Sequence, residues 1–183
     1  MSTDTMTTPR IYVASLSDYN AGILHGEWID AAQDADDLHA AIEDMLAASP
    51  TAAREGQPAE EWAIHDHEGF GGIAVGEYTD MAWIAKFAAA LEDADEPEAF
   101  AAWIANDPHN EPEDFADAYR GRWSSVEDYA AEYVESAGIL GTADPLVVQY
   151  FDYAAFARDL VMGGDIWTAP ADLGDVYIFD ANA

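Results

Sequence analysis

Cysteine is absent from the 183-residue chain, and lysine occurs once, at Lys86. Without cysteine there is no disulfide framework, no thiolate metal site and no cysteine nucleophile. Only six residues are basic, which leaves no cationic patch to hold a nucleic acid or an anionic membrane. No run of about 18 apolar residues occurs, and the opening MSTDTMTTPR has no apolar core of the kind a signal peptide needs. These absences predict a soluble, cytoplasmic protein with a short disordered leader over residues 1–9.

What the chain has in excess is negative charge. Thirty-seven Asp and Glu residues against six Lys and Arg give a formal net charge of −31. The excess is even along the chain: 11 acidic against 2 basic over residues 1–60, 15 against 2 over 61–120, and 11 against 2 over 121–183. Duplex DNA carries one charge per ~1.7 Å of axis, so this charge equals that of roughly 50 Å, or about 15 base pairs. A compact domain of this length has a radius of gyration of only about 16 Å. Charge confined to so small a body repels itself, and an elongated body relieves the repulsion. Half of the residues are hydrophobic and 12% aromatic, which is not the composition of a disordered acidic chain.

Periodicity predicts an α+β fold of three small modules in an elongated chain. In the first module, residues 10–70, Arg10–Ser15 reads as a strand, the stretch that follows it through Asn20, Gly22 and Gly26 as a turn-rich loop, and Trp28–Ile29 as a short apolar piece. Leu38, Ile42, Met45 and Leu46 share one helical face, a helix ended by Pro50 and the Gly56–Pro58 stretch, and Glu61–Asp66 returns as a strand. The second module, residues 71–121, is helical: Thr79 or Asp80 caps a helix bearing Met81, Ile84, Ala88 and Leu91, and Pro97 and Pro112 each open a further helix, the latter carrying Phe115 and Tyr119. In the third, residues 122–183, Ser124 and Glu127 form a capping box for a helix over Val126 to Ala137 that Gly138 ends. A second helix runs from about Asp152 to Val161, and Asp165–Thr168 pairs with Val176–Phe179 across a turn at 170–174. Residues 139–149 fit a buried linker, a short helix or a subunit contact equally well.

Two motifs point to chemistry on first reading. His65-Asp66-His67-Glu68 places imidazoles and carboxylates together, but strand alternation sends the two His to one side and the acids to the other. With no third neutral ligand nearby, a polar strand end is the better reading and no metal is expected. Gly69-Phe70-Gly71-Gly72-Ile73-Ala74 has the spacing of a dinucleotide fingerprint, but no helix opens at Gly71 and no series of βαβ units surrounds it. A tight turn explains the glycines, and no cofactor or catalytic constellation is expected. Salt adaptation accounts for acidity in general, and a small metal-binding enzyme built on the His pair is the other alternative.

Three blocks of sequence add a further argument. Arg10 to Asp30 (RIYVASLSDYNAGILHGEWID) resembles the N-terminal signature of the ArdA antirestriction family, and Glu61 to Phe70 (EWAIHDHEGF) is similar to its second signature. Tyr150 to Leu160, with Gly164, Asp165 and Ile166, resembles its C-terminal region. The resemblance implies a non-enzymatic DNA mimic that inhibits type I restriction–modification enzymes, and a homodimer joined through the C-terminal module. It also implies that carboxylates stand in for backbone phosphates. The candidates are Asp34, Asp36, Asp37, Glu43, Asp44, Glu92, Asp93, Asp95, Glu96, Glu98, Glu111, Glu113, Asp114, Asp117, Glu127, Asp128, Glu132 and Glu135. The expected partners are the restriction–modification enzyme and a second copy of the chain, with no nucleic acid and no membrane.

Overall fold

The structure, a computed structural model, describes residues 8–107 and 109–183. The expected leader lies outside the described residues except for Thr8 and Pro9. Pro9 is buried, and its carbonyl accepts the Ala31 N–H at 2.9 Å. The fold is α+β, and the chain divides into two compact units, one up to Pro112 and the other from Glu113. No helix among the described residues is long and apolar enough to cross a membrane.

The first unit is built on a three-stranded antiparallel sheet in the order β2-β1-β3, with β1 at Arg10–Ser15, β2 at Gly26–Asp30 and β3 at Trp62–Glu68. Ile11, Val13, Ile29, Ala63 and Ile64 are buried in it. Helix α2 (Ala35–Ala47) lies against β1 and β2 and buries Leu38, Ile42, Met45 and Leu46, the stripe its 3.6-residue period predicts. Helix α4 (Met81–Asp93) packs on α2 and on α5 (Pro97–Asn106). The apolar face of α4 is wide because it meets both neighbours: Met81, Ile84, Phe87, Ala88 and Leu91 are all buried. Asp80 starts α4 by accepting the Trp83 N–H at 3.0 Å.

Two local readings of this unit are corrected. The stretch expected as a loop begins with a short helix, α1 (Leu16–Asn20). The helix with the Leu38 stripe does stop ahead of Pro50, at Ala47, but Pro50 also opens an unexpected helix, α3 (Pro50–Glu55), at the position where its missing N–H costs nothing; Ser49 caps it through Ala52 N–H at 3.0 Å. The sheet is tight at its edge. A Cβ on Gly26, which pairs with Ala14, would overlap the Val13 carbonyl and the Tyr12 ring. Gly26→Ala is therefore expected to cost about 1–3 kcal/mol by overpacking, a fall of several degrees in Tm by thermal melting.

The second unit carries a sheet in the order β4-β6-β5, with β4 at Tyr119–Trp123, β5 at Ile166–Pro170 and β6 at Val176–Asp180. Helices α7 (Val126–Ser136) and α9 (Tyr153–Met162) pack together and contribute Tyr129, Ala130, Ala157 and Leu160 to a core shared with Ile166 and Ile178. Tyr177, Ile178 and Phe179 are buried in succession, as a central strand covered on both faces requires. Phe179 stacks on Trp167 at 4.1 Å and neighbours Tyr119 and Phe115. Gly138, at φ 65, closes α7 with Gly138 N–H bonded to the Glu135 carbonyl and Ile139 N–H to that of Val134, a Schellman ending.

Here the expected helix from Pro112 through Tyr119 is not found. A 3₁₀ turn at Pro112–Asp114 leads into one turn of helix, α6 (Phe115–Ala118), and Tyr119 already begins β4. The ladder between β4 and β6 shifts register between Tyr119 and Arg122, where Gly121 sits at φ 100. The cap of α7 is one residue later than expected: Ser125 accepts the Asp128 N–H at 3.1 Å. Residues 145–149 form a further short helix, α8 (Pro145–Gln149), capped by Asp144 on Leu146 N–H at 2.8 Å.

Candidate functional site: the acidic surface

Of the eighteen candidate carboxylates, all but Glu96 are exposed, and Glu96 is half-buried. Helix geometry explains this. On α2, Asp36, Asp37, Glu43 and Asp44 occupy the positions left over once Leu38, Ile42, Met45 and Leu46 turn inward, and Asp34 precedes the helix as its N-cap. On α7, Glu127, Asp128, Glu132 and Glu135 are exposed while Tyr129, Ala130 and Val134 are buried. Glu92 and Asp93 end α4, Asp95 and Glu96 join it to α5, and Glu98 lies in the first turn of α5. Glu113 and Asp114 lie in the 3₁₀ turn, and Asp117 in α6.

Not all of these groups are equally available. Glu111 is ion-paired with Lys86. Asp128 accepts the hydroxyls of Ser124 and Ser125, and these bonds hold its carboxyl below the usual carboxylate range. Its first role is therefore to close the start of α7. Sequence reasoning also passed over exposed carboxylates outside the strongly periodic segments: Glu27, Asp30, Glu60, Glu61, Asp66 and Glu77. Strand alternation is a weaker exposure signal than a helical stripe, and loop positions carry none.

The few cations do not offset this surface. Five of the six sit in ion pairs: Arg10 with Glu68, Arg54 with Glu55, Lys86 with Glu111, Arg120 with Asp180 at 2.7 Å and Arg122 with Asp175 at 2.8 Å. Among the described carboxylates, only Asp18 is buried. Burial alone pushes its carboxyl up, but the Thr51 N–H, which donates to Oδ1 at 2.8 Å, and the polar surroundings formed by Ser49, Thr51 and Ser15 outweigh it and hold the group well below the usual range, although Oδ2 has no hydrogen-bond partner among the described residues. Asp18 thus ties α1 to the start of α3.

The His65–Glu68 run does not assemble a ligand set. The β1–β3 ladder pairs Tyr12 with Asp66 and Val13 with Ile64, so His65 falls in a bulge, which breaks the alternation expected there. Its ring packs edge-on against Tyr19 at 5.0 Å, whereas His67 meets Phe70 at 5.8 Å. No group of three or more His, Asp or Glu side chains among the described residues is arranged to hold a metal ion. Gly69, Gly71 and Gly72 all have positive φ, which makes 69–72 a turn, and the next helix, α4, opens only at Met81. Two open clefts of the first unit, about 570 and 490 Å³, share His39, Glu60 and Trp62. His39 Nδ1–H donates to the Ala35 carbonyl of its own helix at 2.7 Å.

Fold and site together define an acidic α+β protein whose exposed charge is almost entirely of one sign. Residues 11–173 match the family described as antirestriction protein (ArdA). The chain belongs to the ArdA family, and that membership implies an antirestriction function. No curated protein matches it significantly.

Proposed function

We propose that this protein inhibits type I restriction–modification enzymes by occupying the groove that otherwise takes duplex DNA, its carboxylates standing where phosphates would. The observation that carries this reading is the exposure of seventeen of the eighteen candidate carboxylates beside six cations, five of them already committed to ion pairs. Linear charge density supports it. Asp34 to Asp44 places five carboxylates over eleven residues of α2 and its cap, and Glu127 to Glu135 places four over nine residues of α7. At 1.5 Å of rise per residue each run has one charge per about 4 Å, close to the 3.4 Å of a single DNA strand.

Held on helices packed against sheets, these charges need little ordering when a basic groove closes on them. The mimic offers no base edges, so it competes on backbone charge and shape, and enzymes with different recognition sequences are inhibited alike. A homodimer joined through the second unit doubles the charge to roughly 60, the equivalent of about 100 Å of duplex. The surface available for it is apolar: Leu146, Val147, Val148, Tyr150 and Met162 are all exposed. Of these, Leu146, Val147 and Val148 adjoin one another in α8, and adjoining exposed apolar groups support an interaction surface there.

The test is restriction of unmodified DNA by several purified type I enzymes, titrated with the protein at rising salt, with an unrelated acidic protein of equal charge as control. Stoichiometric inhibition that weakens with salt and is absent in the control is the expected result. A folded protein that inhibits none of them contradicts the reading and leaves salt adaptation as the explanation of the acidity.

A further inference from the structure

The turn between β5 and β6 contains a residue that costs the fold twice over. Leu173 has φ 63 and ψ 10, the one non-glycine residue with positive φ among those described, and its side chain is 98% exposed. For leucine the left-handed conformation brings Cβ against the following carbonyl, and exposure leaves the whole isobutyl group in water. Glycine or asparagine would remove both penalties, because both tolerate this conformation and neither exposes a large apolar group.

The turn is also held from several directions. Arg122, on β4, donates from Nη2 to the Asp172 carbonyl and from Nε to Asp175 Oδ2, each at 2.8 Å. Within the turn, the Ala171 N–H bonds the Asp175 carbonyl at 2.9 Å and the Asp175 N–H that of Asp172 at 3.2 Å. The backbone of β4 pairs with β6 at the same place, Arg122 opposite Tyr177. An apolar side chain is thus displayed on a braced loop, where local stability alone calls for glycine or asparagine. Strain kept in place by surrounding bonds, together with full exposure, points to an encounter outside the fold.

We propose that Leu173 is an anchor that enters an apolar pocket on a basic protein partner, beside the groove that takes the acidic surface. The inference rests on the reading of the previous subsection, in which that partner is the restriction–modification enzyme. Charge decides between such a partner and a second copy of this chain. Residues 113–183 carry fourteen carboxylates against three arginines, which favours a basic partner at this turn, whereas the self-association proposed above draws on the apolar groups of α8, Tyr150 and Met162 and needs no contribution from Leu173. A basic partner is instead drawn to the same end of the unit, where the Asp172 carboxylate is exposed beside Leu173. The leucine adds to charge matching what charge alone lacks, a fixed register on the groove.

The experiment compares the full chain with Leu173→Asn and Leu173→Met for binding to a type I enzyme at several salt concentrations, for thermal melting, and for mass by sedimentation. Leu173→Asn is expected to melt at or above the wild-type temperature and to keep the wild-type mass. It is expected to bind roughly 30-fold more weakly with an unchanged salt slope, because no charge is lost, while Leu173→Met keeps most of the binding. Binding of Leu173→Asn within twofold of wild type overturns the anchor. So does a lower melting temperature, which removes the strain premise, or a loss of self-association, which assigns the leucine to contact between copies. Failure of the wild-type chain itself to bind overturns the parent reading first, a result distinguishable from an intact wild type with an equally active Leu173→Asn.

Discussion

Neutralising the five carboxylates of Asp34, Asp36, Asp37, Glu43 and Asp44 together, by Asp→Asn and Glu→Gln, is expected to weaken inhibition of a type I enzyme by roughly 50- to 100-fold. An exposed ion pair contributes about 0.2–1 kcal/mol, so five at about half a kcal/mol give 2–3 kcal/mol, and each tenfold in affinity corresponds to 1.4 kcal/mol. Any one of the five changed alone should move the titration by no more than a few-fold. The fold tolerates the set. Asp34 makes no side-chain cap bond, so Asn there removes none, and the small loss from removing charge at Asp36 and Asp37 near the helix start is offset at Asp44, in the last turn, where a negative charge opposes the helix dipole. The gap between variant and wild type should narrow as salt rises, because screening removes from the wild type what mutation removes from the variant. A single substitution that abolished inhibition would point instead to one specialised carboxylate, and full activity in the quintuple variant would remove α2 from the interface.

Removing the buried carboxylate has a different consequence. Asp18→Ala is expected to destabilise the first unit by about 2–4 kcal/mol, since a hydrogen bond to a charged group contributes about 1.5–3 kcal/mol and each buried group left unpaired costs a further 1–3. The Thr51 N–H donates to Asp18 Oδ1 and would be left buried without its partner, next to a Thr51 hydroxyl that already lacks one. The pH dependence follows from the direction of its shift. The folded-state pKa lies below the unfolded one, near 4, so the stabilisation is fully present above about pH 5 and is lost as pH falls from there towards the folded value. A second effect runs the other way at milder pH: as the net charge of −31 shrinks towards the isoelectric point near 4.1, self-repulsion falls. Wild-type Tm should therefore rise on acidification from pH 7 and drop below about pH 4, while Asp18→Asn, with nothing there to protonate, starts lower and has a shallower acid limb. Melting curves across pH 2–8 for both proteins check this. A parallel acid limb in the two would mean that Asp18 is not the group responsible.

Much of this architecture is legible in local sequence because its signals are local. The stripes of α2, α4 and α7 are read from 3.6-residue spacing, and the exposure of their acids follows from the same spacing. What misled was punctuation and pairing. Pro50 stops one helix or starts another depending on whether a capping serine precedes it, and Ser49 does. Tyr119 reads as the end of a helix because its strand, with Arg120, Gly121 and Arg122, is held by β6 more than fifty residues away. His65 and His67 look like neighbours on one face until a bulge, set by pairing with β1, separates them.

The sequence by itself determined the sign and even spread of the charge, the α+β class, most helices and the family resemblance, because composition, periodicity and motif spacing are properties of the chain alone. Only the tertiary structure decided which cations were committed to ion pairs, that Asp18 among the described acids was buried and bonded, and that Leu173 was held exposed in a left-handed turn. Each of these depends on groups that are distant in sequence and meet only when the chain is folded.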